Sequence, residues 1–444
     1  MMARFYFPLL ALGFLAITPA VAQLSRRVGP TTSTESKRRT VCSVLKYGAV
    51  ADKSTDIGPA IQAAFAACKD GGTVYVPPGD YAMATWVSLS GGHGWAFQLD
   101  GIIYRTGTAG GHMIFIEKAK DFEFYSSTSK GAIQGYGYEF HRAGKYGCRL
   151  LRLAHVEDFS IHDIALVDAP QFHLFLDTCT NGEIYNCIIR GGDEGGLDGM
   201  DVSGSNIWIH DVEVSNRDEC VTIKNPAEHM LIENIYCNWS GGCAMGSLGA
   251  GIDIHDIHFD KIYSVNSNQM FMIKSNGGSG AVKNCTFSNF IGHKNAYSLN
   301  LDAHWTQLKL QPGNGVLYQD LHFINWTGSC SDGARRAPIN VICPDKVPCH
   351  GINIEDFAIW TESGNREYYK CANAYGNGFC LRPGSTYSSY TTTVTVTAAP
   401  SGWAAATMAA DLTTLPLSDS IPIPTIPTTF FPGATPYSKL AGAT

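Results

Sequence analysis

Residues 196–220 read GLDGMDVSGSNIWIHDVEVSNRDEC and set Asp198, Asp218 and Glu219 about one repeat apart, in a chain whose strand-like segments recur every 22 to 28 residues. That spacing stacks the three acids into one cluster. Like charges at close range raise one another's pKa and oppose folding, so three convergent carboxylates call for a chemical reason. Splitting a glycosidic bond is the usual one, with one acid protonating the leaving oxygen and another acting on water or on the sugar. Calcium ligation is the competing use of such a trio. Asp177 lies 21 residues before Asp198, which places it on the adjacent turn, where it could bind a sugar hydroxyl or tune the cluster. Asp201 reads as structural or as a subsite contact.

The stacking depends on a repeat, and the chain has one. A polar residue inside an apolar strand recurs in IHDIAL (Asp163), IYNCII (Asn186), IHDVEV (Asp211), IENIYC (Asn234), IHDIHF (Asp256) and VKNCTF (Asn284), with steps of 23, 25, 23, 22 and 28. YQDLHF (Asp320) and IEDFAI (Asp356) follow at steps of 36 and 36. A fixed period with short Val/Ile-rich strands marks a solenoid whose turns bury their apolar faces on one another. The regular Leu ladder and the helices of a leucine-rich repeat are missing. The expected fold is therefore all-β, a single-stranded right-handed parallel β-helix. Neighbouring turns would lie roughly 4.8 Å apart, so residues one period apart sit side by side. A lone Asp in such a fold ordinarily caps a turn or joins a polar ladder, which is the reading for Asp163 and Asp211.

The 444 residues are 45% hydrophobic and only 16% charged, with 47 glycines, enough for one large core with many turns. The formal charge of −7 and the lack of a basic run argue against nucleic acid or an anionic membrane as partner. Residues 1–22 end in Ala-Val-Ala after a short apolar run behind Arg4, the layout of a secretory signal peptide, so an extracellular protein is expected. Residues 23–384 form the solenoid with a capping helix at its N-terminal end, where Asp56 reads as the N-cap and Ile57, Ile61, Ala64 and Phe65 as one apolar face. Residues 385–444 are rich in Thr, Ser, Ala and Pro and read as an extended tail along the domain.

An oxidising compartment permits disulfides among the 14 cysteines. The expected bridges are Cys343 with Cys349 and Cys371 with Cys380 as small loops, and Cys42 with Cys68 and Cys220 with Cys237 as longer closures. No paired C-x-x-C pattern points to a metal, and no cofactor is expected. The sequons at Asn238, Asn284 and Asn325 permit N-glycans, with Asn284 the poorest candidate because it holds a ladder position. A monomer is the default.

The cap segment YGAVADKSTD with GGTVYVPPGDY, together with the stacked motifs, resembles glycoside hydrolase family 28, the polygalacturonase-like enzymes that cut pectin. From about Cys42 to the tail the chain is similar to the A-type rhamnogalacturonan hydrolases of filamentous fungi within that family. The resemblance carries the family's Asn-Thr-Asp onto Gly196-Leu197-Asp198 and its paired aspartates onto Asp218-Glu219. Its Gly-His-Gly falls on Ser240-Gly241-Gly242, where the histidine is absent, and its Arg-Ile-Lys becomes Met272-Ile273-Lys274. Its later tyrosine falls near Trp305.

The Arg and Lys of that motif grip a galacturonate carboxylate on the leaving-group side, and Met removes the bidentate fork that Arg provides. A neutral sugar such as rhamnose fits there better, with Lys274 still able to hold one charge of the polymer. The resemblance implies inversion, with acid and base roughly 6.5 to 9.5 Å apart. Asp218 is the expected acid, with Asp198 and Glu219 as the base pair that activates water. His293 is the candidate replacement for the missing histidine, a surface turn histidine being the alternative. Trp305 is a candidate for stacking on a sugar face. The implied partner is the polysaccharide rhamnogalacturonan, cut at internal bonds. Polygalacturonase activity, a calcium-dependent β-helix lyase and a non-catalytic carbohydrate-binding solenoid remain as alternatives.

Overall fold

The computed structural model describes residues 24–415 and 419–442, so the signal-peptide segment lies outside the described residues. Successive strands pair in parallel with the strand one period later. Glu157–Val167 pairs with Leu174–Arg190, that strand with Met200–Ser215, and that with Glu219–Asn238. Glu219–Asn238 continues onto Gly242–Leu248 and Ile252–Val265, and the pattern runs on to the strand Cys349–Thr361. The result is an all-β parallel solenoid.

All eight polar repeat residues, from Asp163 through Asn186, Asp211, Asn234, Asp256, Asn284 and Asp320 to Asp356, have φ between 49° and 58°. Each occupies a one-residue left-handed corner where the strand changes direction. Asn and Asp tolerate that conformation better than other side chains with a Cβ, which explains why the repeat is written in these two residues. The residue after each corner is buried in the core, which is filled by stacks such as Phe97 on Phe124 at 4.9 Å and Phe290 on Trp326 at 4.1 Å.

The helix Gly58–Cys68 covers the first turn, with Ile57, Ile61, Ala64 and Phe65 buried. Ile57 rather than Asp56 takes the N-cap position. Asp56 still accepts the Gly58 amide at 3.0 Å, and its carboxylate also receives the Ala84 amide at 2.9 Å, so it joins the cap to the next turn. The disulfides are Cys42–Cys68, Cys220–Cys237, Cys343–Cys349 and Cys371–Cys380.

The C-terminal segment first adds a strand, Thr391–Val396, antiparallel to Glu367–Ala372. It then runs back along the solenoid. His293 donates to Ala406 O, the Asp411 carboxylate receives the hydroxyls of Tyr236 and Tyr263 at 2.6 and 2.8 Å, and the Ser438 and Ala441 amides donate to the corner residues Asp211 and Asp163. This path overturns one expectation about sugar attachment. Asn238 is fully buried beneath the tail, its side chain facing Ala410 and Leu412, whereas Asn284 and Asn325 are exposed. A glycan on Asn238 would displace the tail.

Candidate active site

Strand register decides which side chains face outward together. Asp201 aligns with Phe175 and with Thr222 on the neighbouring turns, and Thr222 aligns with Ala244, then Met272 and Asn300. Two residues on, Lys274 aligns with Gly246 and Asp302. Asp198 stands in the turn before the strand Met200–Ser215, and Asp218 and Glu219 stand at the same entry point one turn later.

One carboxylate oxygen from each of Asp198, Asp218 and Glu219 lies within 4.8 Å of the others. Asp198 and Glu219 are 6% exposed, and Asp218 is the more open of the three.

The backbone around the trio is tied tightly. Fully buried Asn216 donates to the carbonyls of Leu197 at 2.7 Å and Glu219 at 3.0 Å, bridging the two acid-bearing turns. His173 donates to the Asp198 carbonyl at 3.1 Å through Nδ1 and accepts the Ala169 amide at 3.3 Å. Burial pushes His173 down to about 4, so the ring is neutral and this tautomer is available to it. The Asp218 carboxylate accepts the Gly196 amide and, at 2.8 Å, the Glu219 amide. Tyr146 packs over Gly196 and donates to the Gly195 carbonyl at 2.8 Å, steadying the loop that supplies the first of these donors.

Two lysines enter the cluster. The Lys274 ammonium is bonded to Glu219, and Lys224 lies 3.2 Å from Asp201 while donating to the Gly246 carbonyl at 2.8 Å. Burial first, and then the charges of Asp201 and Asp218, push Asp198 well above the ordinary carboxylate range. Lys224 and Lys274 oppose that rise without cancelling it. Asp201 is also raised by burial, with Lys224 pulling against it.

The expected residues divide by place. Asp198, Asp201, Asp218, Glu219 and Lys274 converge. Asp177 faces the same surface and is engaged by Arg152 at 2.5 Å. Half-exposed Trp305 donates its backbone N–H to Ser275, beside Lys274. His293 does not join them. It aligns with Val265 on another face, its ring lies 5.7 Å from Tyr263, and it bonds the tail. The position of the missing histidine is filled instead by Ser240, Gly241 and Gly242. Gly241 is pressed so close to the Asp218 backbone that a Cβ there would stand 2.6 Å from the Asp218 carbonyl carbon.

Lys224, His173 and Asn216 escape a reading built on acids. Lys224 alone left a usable signal, a cation one repeat after Asp201.

The family model for glycosyl hydrolases family 28 matches residues 97–380, and one for rhamnogalacturonase A/epimerase, pectate lyase-like, matches residues 41–93. The chain belongs to glycosyl hydrolase family 28. Within family 28 it is 60% identical over 438 residues to "Rhamnogalacturonase A" of Aspergillus aculeatus, covering 98% of this chain and 99% of that one. It is 61% identical over 438 residues to a "Probable rhamnogalacturonase B" of Aspergillus fumigatus, covering 98% of this chain and 84% of the relative. Among solved structures, endo-xylogalacturonan hydrolase from Aspergillus tubingensis superposes with a TM-score of 0.69 at 22% identity, over 78% of this chain and 100% of that one, a likeness of fold.

Proposed function

We propose that this family 28 chain is a pectin-degrading hydrolase that cuts the α-1,2 bond between galacturonic acid and rhamnose inside the rhamnogalacturonan I backbone. The observation that carries the reading is the convergent acid trio with an ammonium on Glu219, in a chain about 60% identical to proteins named rhamnogalacturonases over nearly its full length. Met272 supports the substrate. It stands outward on the row of Asp201, yet only 1% exposed, so no guanidinium is available there for a uronate on the leaving side.

Asp198, held well above the ordinary carboxylate range by burial and by the charges of Asp201 and Asp218, keeps a proton next to Asp218. Asp218, the most open of the three, is the acid that reaches the glycosidic oxygen. Glu219 takes the proton of the attacking water, its carboxylate oriented by Lys274. Asp198 therefore belongs with the acid, and the base role falls to Glu219 alone. Asp201, paired with Lys224, holds the sugar beside the bond, and Trp305 borders the leaving side.

Inversion is retained as the stereochemical outcome, read by NMR of the first-formed anomer. The cation held against Glu219 is an ammonium, which favours hydrolysis over a calcium-dependent elimination. Secretion and a monomeric state complete the proposal.

Product analysis with rhamnogalacturonan and polygalacturonan, both in chelator, tests it. Saturated oligomers with rhamnose at the non-reducing end, from the first polymer only, are expected. Cleavage of polygalacturonan or an ultraviolet-absorbing unsaturated product would overturn it.

A further inference from the structure

On the N-terminal side of the acids, the same outward surface carries a row that the hydrolysis does not use. Register aligns Phe115 with Arg152, Arg152 with Phe175, and Phe175 with Asp201. Arg152 therefore stands two turns from Asp201, about 9.6 Å at the ordinary strand spacing. Its guanidinium lies 5.0 and 5.1 Å from the ring centroids of Phe115 and Phe175, and all three side chains are half-exposed.

One terminal nitrogen of Arg152 binds Asp177 at 2.5 Å, and the other lies 3.3 Å from Nε2 of His112. Burial, followed by the charges of Arg152 and Arg149, pushes His112 down to about 4, so it is neutral and can accept from Arg152. Each terminal nitrogen keeps a second N–H, and the Arg152 side chain is 27% exposed. Arg149 lies over Phe172 close by. Arg152 and Arg149 stand here with Asp177 and, one turn before Arg152, Glu117, whereas the catalytic patch gathers four carboxylates around two ammoniums.

We propose that Arg152, held between Phe115 and Phe175, is a subsite for the carboxylate of a uronic acid residue two sugars away from the one at the catalytic acids. The inference rests on the substrate reading above. A pyranose unit in an extended chain is comparable in length with one turn of the solenoid, so a polymer lying along the surface presents about one sugar per turn. In an alternating acidic and neutral backbone, two turns return to the same kind of sugar. The planar guanidinium matches a carboxylate, and the flanking phenyl rings offer apolar faces to the neighbouring sugars.

Arg152→Gln, Arg152→Lys and the wild type are compared on rhamnogalacturonan oligosaccharides of graded length and on a long oligosaccharide with methyl-esterified uronates. Arg152→Gln should raise KM about tenfold on long free-acid substrates, the loss of one charge-assisted contact, with kcat nearly unchanged. Oligosaccharides too short to span two turns from the acids should show no difference. Esterification should erase the wild type's advantage, and Lys should restore part of it. Equal losses on short and long substrates, or a loss that persists on the ester, would overturn the subsite in favour of a packing role. Calorimetry on Asp218→Asn separates binding from chemistry: an unchanged Kd for the long free-acid chain on adding Arg152→Gln overturns the subsite whatever the wild type cleaves.

Discussion

The Lys274 ammonium is bonded to the Glu219 carboxylate across two turns of the solenoid. The contact passes over Gly242 and beside Gly246, positions without side chains to block it. Both partners are nearly buried, with side chains 13% and 8% exposed. Removing one partner of such a pair leaves the other as an uncompensated charge. Lys274→Met should therefore reduce kcat by about a hundredfold, within the range for losing a positioned base, and shift the acidic limb of the pH–rate profile upward. A change confined to KM would show that Lys274 only binds substrate.

Asp198 is expected to trade stability for chemistry. Its folded pKa is raised, so the folded state binds more protons than the unfolded one above about pH 3.9, and stability falls as pH rises toward the folded value. Asp198→Asn removes the charge that burial penalises. Denaturant unfolding at pH 7 should find the variant more stable than the wild type, while activity drops by about 10² to 10⁴. Equal stability at pH 7 and at pH 4 would contradict the assignment.

A ring ladder should make the fold favour acid. Tyr125, His162, Tyr185 and His210 stack with centroids 5.3, 4.6 and 5.3 Å apart. Burial lowers the pKa of both histidines, but their carboxylate partners outweigh it, Asp163 and Glu123 for His162, Asp211 and Glu183 for His210, and both are raised. A raised histidine contributes stability fully below its unfolded value near 6.5 and loses it as pH rises through the folded value. The melting temperature should fall above neutrality, and His210→Gln should flatten that slope. A slope unchanged by the substitution would rule the ladder out as its source.

Glycan mapping tests the path of the tail. Peptides carrying Asn238 should be unmodified in secreted, folded protein, because that side chain is sealed under Ala410 and Leu412. Modification is expected only at Asn284 and Asn325, and a sugar on Asn238 would mean that the tail does not dock as described.

The sequence by itself determined the solenoid and the acid trio. Left-handed corners favour Asn or Asp, which mark eight successive periods, and that period stacks Asp198 against Asp218 and Glu219. It suggested the four disulfides, whose partners lie close along the chain, and the structure contains them. Only the tertiary structure decided which acid keeps the proton, because burial and the reach of Lys224 and Lys274 depend on several turns at once. It also decided that His293 faces the tail rather than the acids. Short-range spacing places a residue on a turn, but the face it presents and the cover it receives follow from segments more than 100 residues away, as with Ala406 over His293.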